Sequence, residues 1–271
     1  MEKSRVLIFS LAYYPRFIGG AEVAIKEITD RLGDDFEFDM VTLRKHASAF
    51  ERVGNVNVYR VGFPWRGTST QSSQIFPFSK YVFPFLAFFK ALSLHQKNHY
   101  HAIWGMMAAY AGFSALFFKL VHPNVPFLLT LQEGDPISHI KRRVRFVYLI
   151  FKKIFTKADF LQAISNYLIN FGQSMGFKGS VAMIPNGVDL AHFEKEISEA
   201  EREKIRTVSG FGKEDTVLIT TSRLVPKNAT DEVIKALSHL PSSVKFLILG
   251  KGFEENRLRL LAEKVDVKDR V

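Results

Sequence analysis

An α/β fold built on parallel sheets in two domains, the second incomplete, is what this sequence predicts. Three observations predict it. Val6-Leu7-Ile8-Phe9 is an unbroken apolar run, as expected of a strand buried on both faces of a parallel sheet. The run enters a long turn that closes on Gly19-Gly20, and a helix follows with Ala21, Ile25, Ile28 and Leu32 on one face. The strand–turn–helix order then returns in the last third, after the apolar runs Thr216–Thr221 and Val244–Leu249.

In chain order, further strands are expected at Glu37–Leu43 and Asn57–Val61. Gly62 to Ser79, rich in Ser, Thr, Gly and Pro, reads as a loop. Lys80 to Lys97 is apolar, aromatic and helical in pattern. A short strand at Ala102–Trp104 leads into a helix that runs to about Val121. Pro126–Leu131 is the next strand and ends in Gln132-Glu133-Gly134-Asp135-Pro136. Phe160–Ser165 and Val181–Pro185 follow, the latter ending in Asn186-Gly187-Val188-Asp189. Composition changes there. Residues 190–213 are charged and helix-prone and read as a connector, which places the domain boundary between residues 188 and 189. In the second domain a helix carrying Val233, Ile234, Leu237 and Leu240 separates the two strands, and a charged helix spans Glu254 to Val265.

Composition narrows the function. The 271 residues contain no cysteine, which removes disulfides, thiolate metal sites and a cysteine nucleophile and fits a reducing, cytoplasmic setting. The apolar run after the first five residues is too short for a signal peptide. The uncharged run Ala102 to Phe118 has 17 residues, the lower edge of spanning length; its two glycines and its strand-like start favour a buried helix over a membrane span. A net charge of +10 suits an anionic ligand or surface. No zinc-finger spacing, RNP-like motif or basic tail points to nucleic acid. His95, His99 and His101 cluster without metal-ligand spacing, so no metal is expected.

The stretch His139 to Phe160 stands out. It carries seven basic residues, Lys141, Arg142, Arg143, Arg145, Lys152, Lys153 and Lys157, and no acid before Asp159. Val144, Phe146, Val147, Leu149, Ile150, Phe151, Ile154 and Phe155 interleave with them. Such a segment is either a helix packed on a sheet with a solvated basic face, or a surface for an anionic membrane through residues 139–157.

Four pieces, in this order, resemble glycosyltransferase family 4, the retaining type with the GT-B fold: Pro15…Gly19-Gly20-Ala21-Glu22, Val181–Pro185 with Asn186-Gly187-Val188-Asp189, Ser222-Arg223-Leu224-Val225…Lys227, and Leu247-Ile248-Leu249-Gly250-Lys251-Gly252. The resemblance covers the whole chain against roughly the first two-thirds of a member. It implies two Rossmann-like domains facing a cleft, residues 1–188 binding the acceptor and 189–271 the donor. The donor is a UDP- or GDP-linked sugar, the acceptor a glycan or lipid-linked molecule, and no metal or other cofactor is required.

The resemblance also assigns roles. Arg223 and Lys227 clamp the departing diphosphate, a task that a fork-shaped guanidinium and a point charge suit; a solvated turn with two surface cations is the alternative. Gly19 and Gly20 approach the donor phosphates or reacting sugar with backbone N–H groups. Gly250 and Gly252 allow close packing near base and ribose. Glu22 and Asn186 belong to the substrate-binding set. Many members carry a histidine where this chain has Gln132, which can hydrogen-bond a sugar hydroxyl but cannot shuttle a proton as imidazole does. Glu133 beside it is expected to orient the acceptor as a catalytic residue. The family's acidic motif of two glutamates would lie beyond Val271, so weak or no transfer by these 271 residues is expected. A non-catalytic binding relative and a sugar-nucleotide epimerase are the alternatives.

Overall fold

The computed structural model describes residues 3–15, 17–44, 48–62 and 78–271. They form two compact units, 1–188 and 189–271. The loop expected at 62–79 lies, from 63 to 77, outside the described residues.

The first unit is a doubly wound sheet. Its strands are β1 (Ser4–Phe9), β2 (Phe36–Leu43), β3 (Phe50–Val53), β4 (Val56–Val61), β5 (Ala102–Met106), β6 (Phe127–Leu131), β7 (Phe160–Ala163) and β8 (Ser180–Met183). Their order is β3-β4-β2-β1-β5-β6-β7-β8, parallel except for the β3–β4 hairpin. The chain winds outward from β1 through β2 to β4, then returns to the other side of β1 as β5. That reversal leaves a crevice at the carboxyl ends of β1 and β5, where ligands bind in open α/β sheets.

Alternation along the central strands fills both faces. Leu7 and Phe9 of β1 and Ile103 of β5 enter a large core with Phe83, Phe118, Phe127, Phe151 and Phe155. Ile8, Trp104 and Met106 enter a second core on the opposite face with Ile25, Met40 and Val58. Helix α1 (Gly20–Arg31) covers this second core. Helices α2 (Ser79–Asn98), α3 (Ala111–Val121), α4 (Ile137–Arg143), α5 (Tyr148–Lys157) and α6 (Asn166–Ser174) contribute to the first. This accounts for part of the phenylalanine: eight of the 26 are buried in the first core, where Phe151–Phe155 and Phe155–Phe171 make edge contacts at 5.4 Å.

Two expectations need correction, one strand was not anticipated, and the reading of the uncharged run holds. The face of α1 that meets the sheet is Ala21, Ala24, Ile25 and Thr29; Ile28 and Leu32 are 41% and 40% exposed. Thr29 can be buried because its hydroxyl donates to the Ile25 carbonyl at 2.9 Å. The strand Phe50–Val53 was not anticipated; its residues alternate exposed and half-buried, and Gly54, at φ +56°, turns it into β4. The basic stretch 139–160 is not one helix. It is α4, a 3-10 turn at Arg145–Val147, α5 and then β7. Val144 is buried at the break, whereas Phe146 just after it is 85% exposed. The uncharged run 102–118 is β5, a turn and most of α3, and among the described residues no helix is long and apolar enough to cross a membrane.

The second unit holds α7 (Leu190–Phe193), α8 (Glu199–Val208), β9 (Thr216–Thr220), α9 (Thr230–Leu237), β10 (Val244–Ile248) and α10 (Glu255–Lys264). The expected connector 190–213 thus contains two helices, the second with Ser198 and Glu201 capping one another. Strands β9 and β10 pair in parallel. Leu224, Ile234, Leu237, Phe246, Leu258, Ala262 and Val267 form its core. Leu240, expected on α9, lies past its end and is 41% exposed.

Phe127 is fully buried where β6 meets the first core. Phe127→Ala is expected to cost about 3–5 kcal/mol. Urea unfolding followed by tryptophan fluorescence reads this directly, because Trp104 is buried in the first unit and no tryptophan falls within residues 189–271.

Candidate functional site

In the first unit, the loops after β1, β5, β6 and β8 meet at the carboxyl ends of the strands. After β1, the chain runs to Gly19-Gly20 and into α1. Buried Arg60 of β4 steadies this loop: its guanidinium donates to the Tyr14 carbonyl at 2.6 Å and pairs with Glu51. Glu22 reaches back to accept from the Gly19 N–H at 2.9 Å. The Gly19 amide, expected to meet a ligand anion, therefore already holds a carboxylate. A Cβ on Gly19 would stand 2.6 Å from that carboxylate oxygen, so any side chain there would displace the cap. Gly20 has open space, the nearest neighbour of a Cβ being Asn186 Nδ2 at 3.9 Å.

Asn186, in the loop after β8, exchanges two hydrogen bonds with Gln132, which follows β6. Gln132 Nε2 donates to Asn186 Oδ1 at 3.1 Å, and Asn186 Nδ2 donates to Gln132 Oε1 at 3.3 Å. Gln132 is buried and Asn186 exposed. The structure thus brings together Gly20, Gln132 and Asn186, three candidates spread over 166 positions of sequence. The remaining amide edges can donate to and accept from a hydroxylated ligand.

Glu133 sits beside Gln132. One of its oxygens accepts from the Ala108 N–H at 2.7 Å, and the other is buried with no hydrogen-bond partner among the described residues. Burial pushes its carboxyl up to about 7, against the pull of the amides of Ala108, Glu133 and Gln132, and the nearby charge of Asp135 adds to the rise. Ala108 lies in the β5–α3 turn, where Met107 and Tyr110 both adopt positive φ, +68° and +57°. Glu133 helps hold this uncommon backbone in place. Sequence reading missed the turn, because left-handed residues other than glycine leave no signature. It missed Arg60 for a related reason: a strand arginine gives no sign of which backbone carbonyl it will meet.

In the second unit, Arg223 and Lys227 fall on the turn after β9, and both side chains are exposed. The turn is latched to the one after β10. Leu224 N–H donates to the Lys251 carbonyl at 3.1 Å, and Glu254 N–H donates to the Leu224 carbonyl at 3.2 Å. Asn228 Nδ2 adds a bond to the Arg223 carbonyl at 2.6 Å. The latch explains two glycines. A Cβ on Gly250 would stand 1.9 Å from the Ser222 carbonyl oxygen, and one on Gly252 2.1 Å from that of Leu224. These glycines let two backbones touch, which is a structural requirement whatever they also offer a ligand. The histidines belong elsewhere. His95 packs against His122 and Tyr100 in the first unit, and among the described residues no group of three or more His, Cys, Asp or Glu is placed to hold a metal.

Comparison with known proteins gives a consistent picture. The family model described as Glycosyltransferase Family 4 matches residues 18–192, and that described as Glycosyl transferases group 1 matches residues 201–271. A GDP-mannose-dependent monoacylated alpha-(1-6)-phosphatidylinositol monomannoside mannosyltransferase of Corynebacterium glutamicum is 33% identical over 118 residues, 42% of this chain and 31% of that protein. An uncharacterised glycosyltransferase of Methanocaldococcus jannaschii is 25% identical across 97% of this chain and 67% of its own length. Among solved structures, HepE of Anabaena in complex with UDP and glucose superposes with a TM-score of 0.71 at 16% identity, covering 99% of this chain and 68% of that one. Sucrose-phosphate synthase of Thermosynechococcus elongatus gives 0.73 at 15%, covering 99% and 69%. The chain thus has the α/β architecture of these two-domain transferases and spans about two-thirds of their length, and about a third of the Corynebacterium relative.

Two outcomes are expected from this geometry. Gly250→Ala forces the latched turns apart and costs about 2 kcal/mol or more, read as faster hydrogen exchange in β9 and β10. Glu133 takes up its proton more readily in the folded state, so its contribution to stability is full below about 4.5 and fades as pH rises to about 7. Glu133→Gln lacks that loss. Relative to the parent it gains about 2 kcal/mol between pH 5 and pH 8, measured by thermal denaturation at each pH.

Proposed function

The chain belongs to glycosyltransferase family 4, and on that premise we propose that it transfers a sugar from a nucleotide-diphosphate donor to a glycan or lipid-linked acceptor. The observation that carries the reading is the latched turn of the second unit, which holds an exposed Arg223 and Lys227 just beyond the carboxyl end of a parallel strand. As the glycosidic bond breaks, negative charge grows on the diphosphate oxygens. Cations held on a stiff backbone meet that charge without reorganising. Arg223 offers paired donors and Lys227 a point charge. Gly250 and Gly252 keep the turn close-packed beside the nucleotide.

The first unit serves the acceptor and the reacting sugar. Gly20 gives open backbone, and the Gln132–Asn186 pair presents amide donors and acceptors suited to sugar hydroxyls. Glu22 holds the glycine turn in shape. Glu133, titrating near neutrality, orients the acceptor hydroxyl. We read the transfer as retaining. The acceptor hydroxyl attacks the anomeric carbon from the face that the diphosphate leaves, the carbon–phosphate-oxygen bond breaks, and the departing phosphate takes the hydroxyl proton. Binding and positioning do most of the work, with no metal in the scheme. The cysteine-free sequence suits the reducing cytoplasm, where we place this reaction.

Titration calorimetry with GDP-mannose and UDP-glucose, the nucleotide sugars named for the Corynebacterium mannosyltransferase and for another Anabaena HepE complex, tests the reading. One of the two binds, EDTA changes nothing, and Arg223→Gln weakens binding by on the order of tenfold or more. Binding of neither donor, or equal binding by Arg223→Gln, overturns it. Proton NMR of the anomeric centre in any transfer product checks retention.

A further inference from the structure

The outer face of the first unit carries a surface that sugar transfer itself does not need. Between Ser79 and Lys157 the sequence has eleven Lys and Arg against two acids, Glu133 and Asp135. Among the described residues, Arg143 is the one cation of the 139–157 segment in an ion pair, 3.5 Å from Asp135. The others face outward among apolar side chains. Val144, Phe151, Ile154 and Phe155 are buried and satisfy the packing of α4 and α5, but Phe146 and Leu149 are 85% and 77% exposed. Helix α2 repeats the pattern. Phe83, Ala87, Ala91 and Leu94 face the core, while Tyr81, Phe85 and Phe89 are more than half exposed. A helix apolar on both faces needs a second covering.

The two exposed sets join at Tyr110. Its ring lies 5.9 Å from that of Tyr81, Lys80 stands over both rings, and its hydroxyl accepts from Arg143 at 2.7 Å. Arg145 stacks on Phe146 at 4.4 Å. Lys80 and Arg145 are matched with rings in place of carboxylates, and Arg143 with both.

We propose that the outward faces of α2, α4 and α5, with the turn at Arg145–Val147, dock on a bilayer containing anionic phospholipid. Rings and aliphatic chains enter the boundary between headgroups and acyl chains, while Lys and Arg meet the phosphates. A second copy of the chain would bring the same cations face to face. A nucleic-acid backbone would leave Leu149 and Ile150 uncovered. The surface adjoins the Glu133 loop through Tyr110 and α4, so an acceptor anchored in lipid would reach the site from this side; that last point alone rests on the transferase reading.

Co-sedimentation with vesicles decides the matter. The protein is expected to pellet with phosphatidylcholine–phosphatidylglycerol vesicles, to stay in solution with phosphatidylcholine alone, and to be released by salt. Arg142→Gln, Arg145→Gln and Lys153→Gln each lower the partition coefficient by about fivefold. Phe146→Ser with Leu149→Ser lowers it while leaving the melting temperature unchanged. Equal recovery with both vesicle types, or variants that bind like the parent, overturns the proposal. So does a dimer seen by analytical ultracentrifugation that Phe146→Ser abolishes, with no vesicle recovery. Donor binding needs no vesicle, so failure here leaves the transferase reading standing, and failure of donor binding leaves this surface standing.

Discussion

The first unit depends on the double burial of β1. Leu7 and Phe9 fill one core, Ile8 fills the other, and β2 and β5 flank the strand on either side. A strand so placed cannot slip by one residue, because a slip would exchange the two cores' side chains. It therefore fixes where the chain reverses its winding, and that reversal decides which loops share a crevice. The glycine turn, the 107–110 turn, the Gln132–Glu133 corner and the Asn186 loop all follow from it.

The strand–turn–helix units were legible in the sequence because each carries its own local signal: an apolar run, a glycine or proline turn, a helical period. The division after residue 188 coincides with a change from apolar to charged composition. Less legible was whatever two distant residues decide jointly. Nothing in α1 announces that Thr29, and not Ile28, faces the sheet. A buried threonine that bonds back to its own helix looks, in sequence, like a solvent residue. The β3–β4 hairpin did leave a sign, Gly54-Asn55 between two short alternating runs, a recognised hairpin pair that the reading passed over.

The site shows the same limit. Gln132 and Asn186 were each named singly, but their mutual hydrogen bonds are a product of β6 and β8 ending near one another. Gly250 and Gly252 were read as making room for a ligand, and the carbonyls of Ser222 and Leu224 show that they first make room for protein backbone. In the basic segment, a single list of apolar residues in sequence separates in space into a packing set and an outward set. The turn after Val144 rotates one against the other.

The carboxylate of Glu22 on the Gly19 amide has a consequence for selectivity. An anion arriving at that amide does not fill an empty position; it exchanges with a group of charge minus one that is tethered and always present. A visiting monoanion gains little by such an exchange. A phosphate group, with more charge and three oxygens, competes better, and once evicted the Glu22 side chain becomes available as an acceptor for hydroxyl groups nearby.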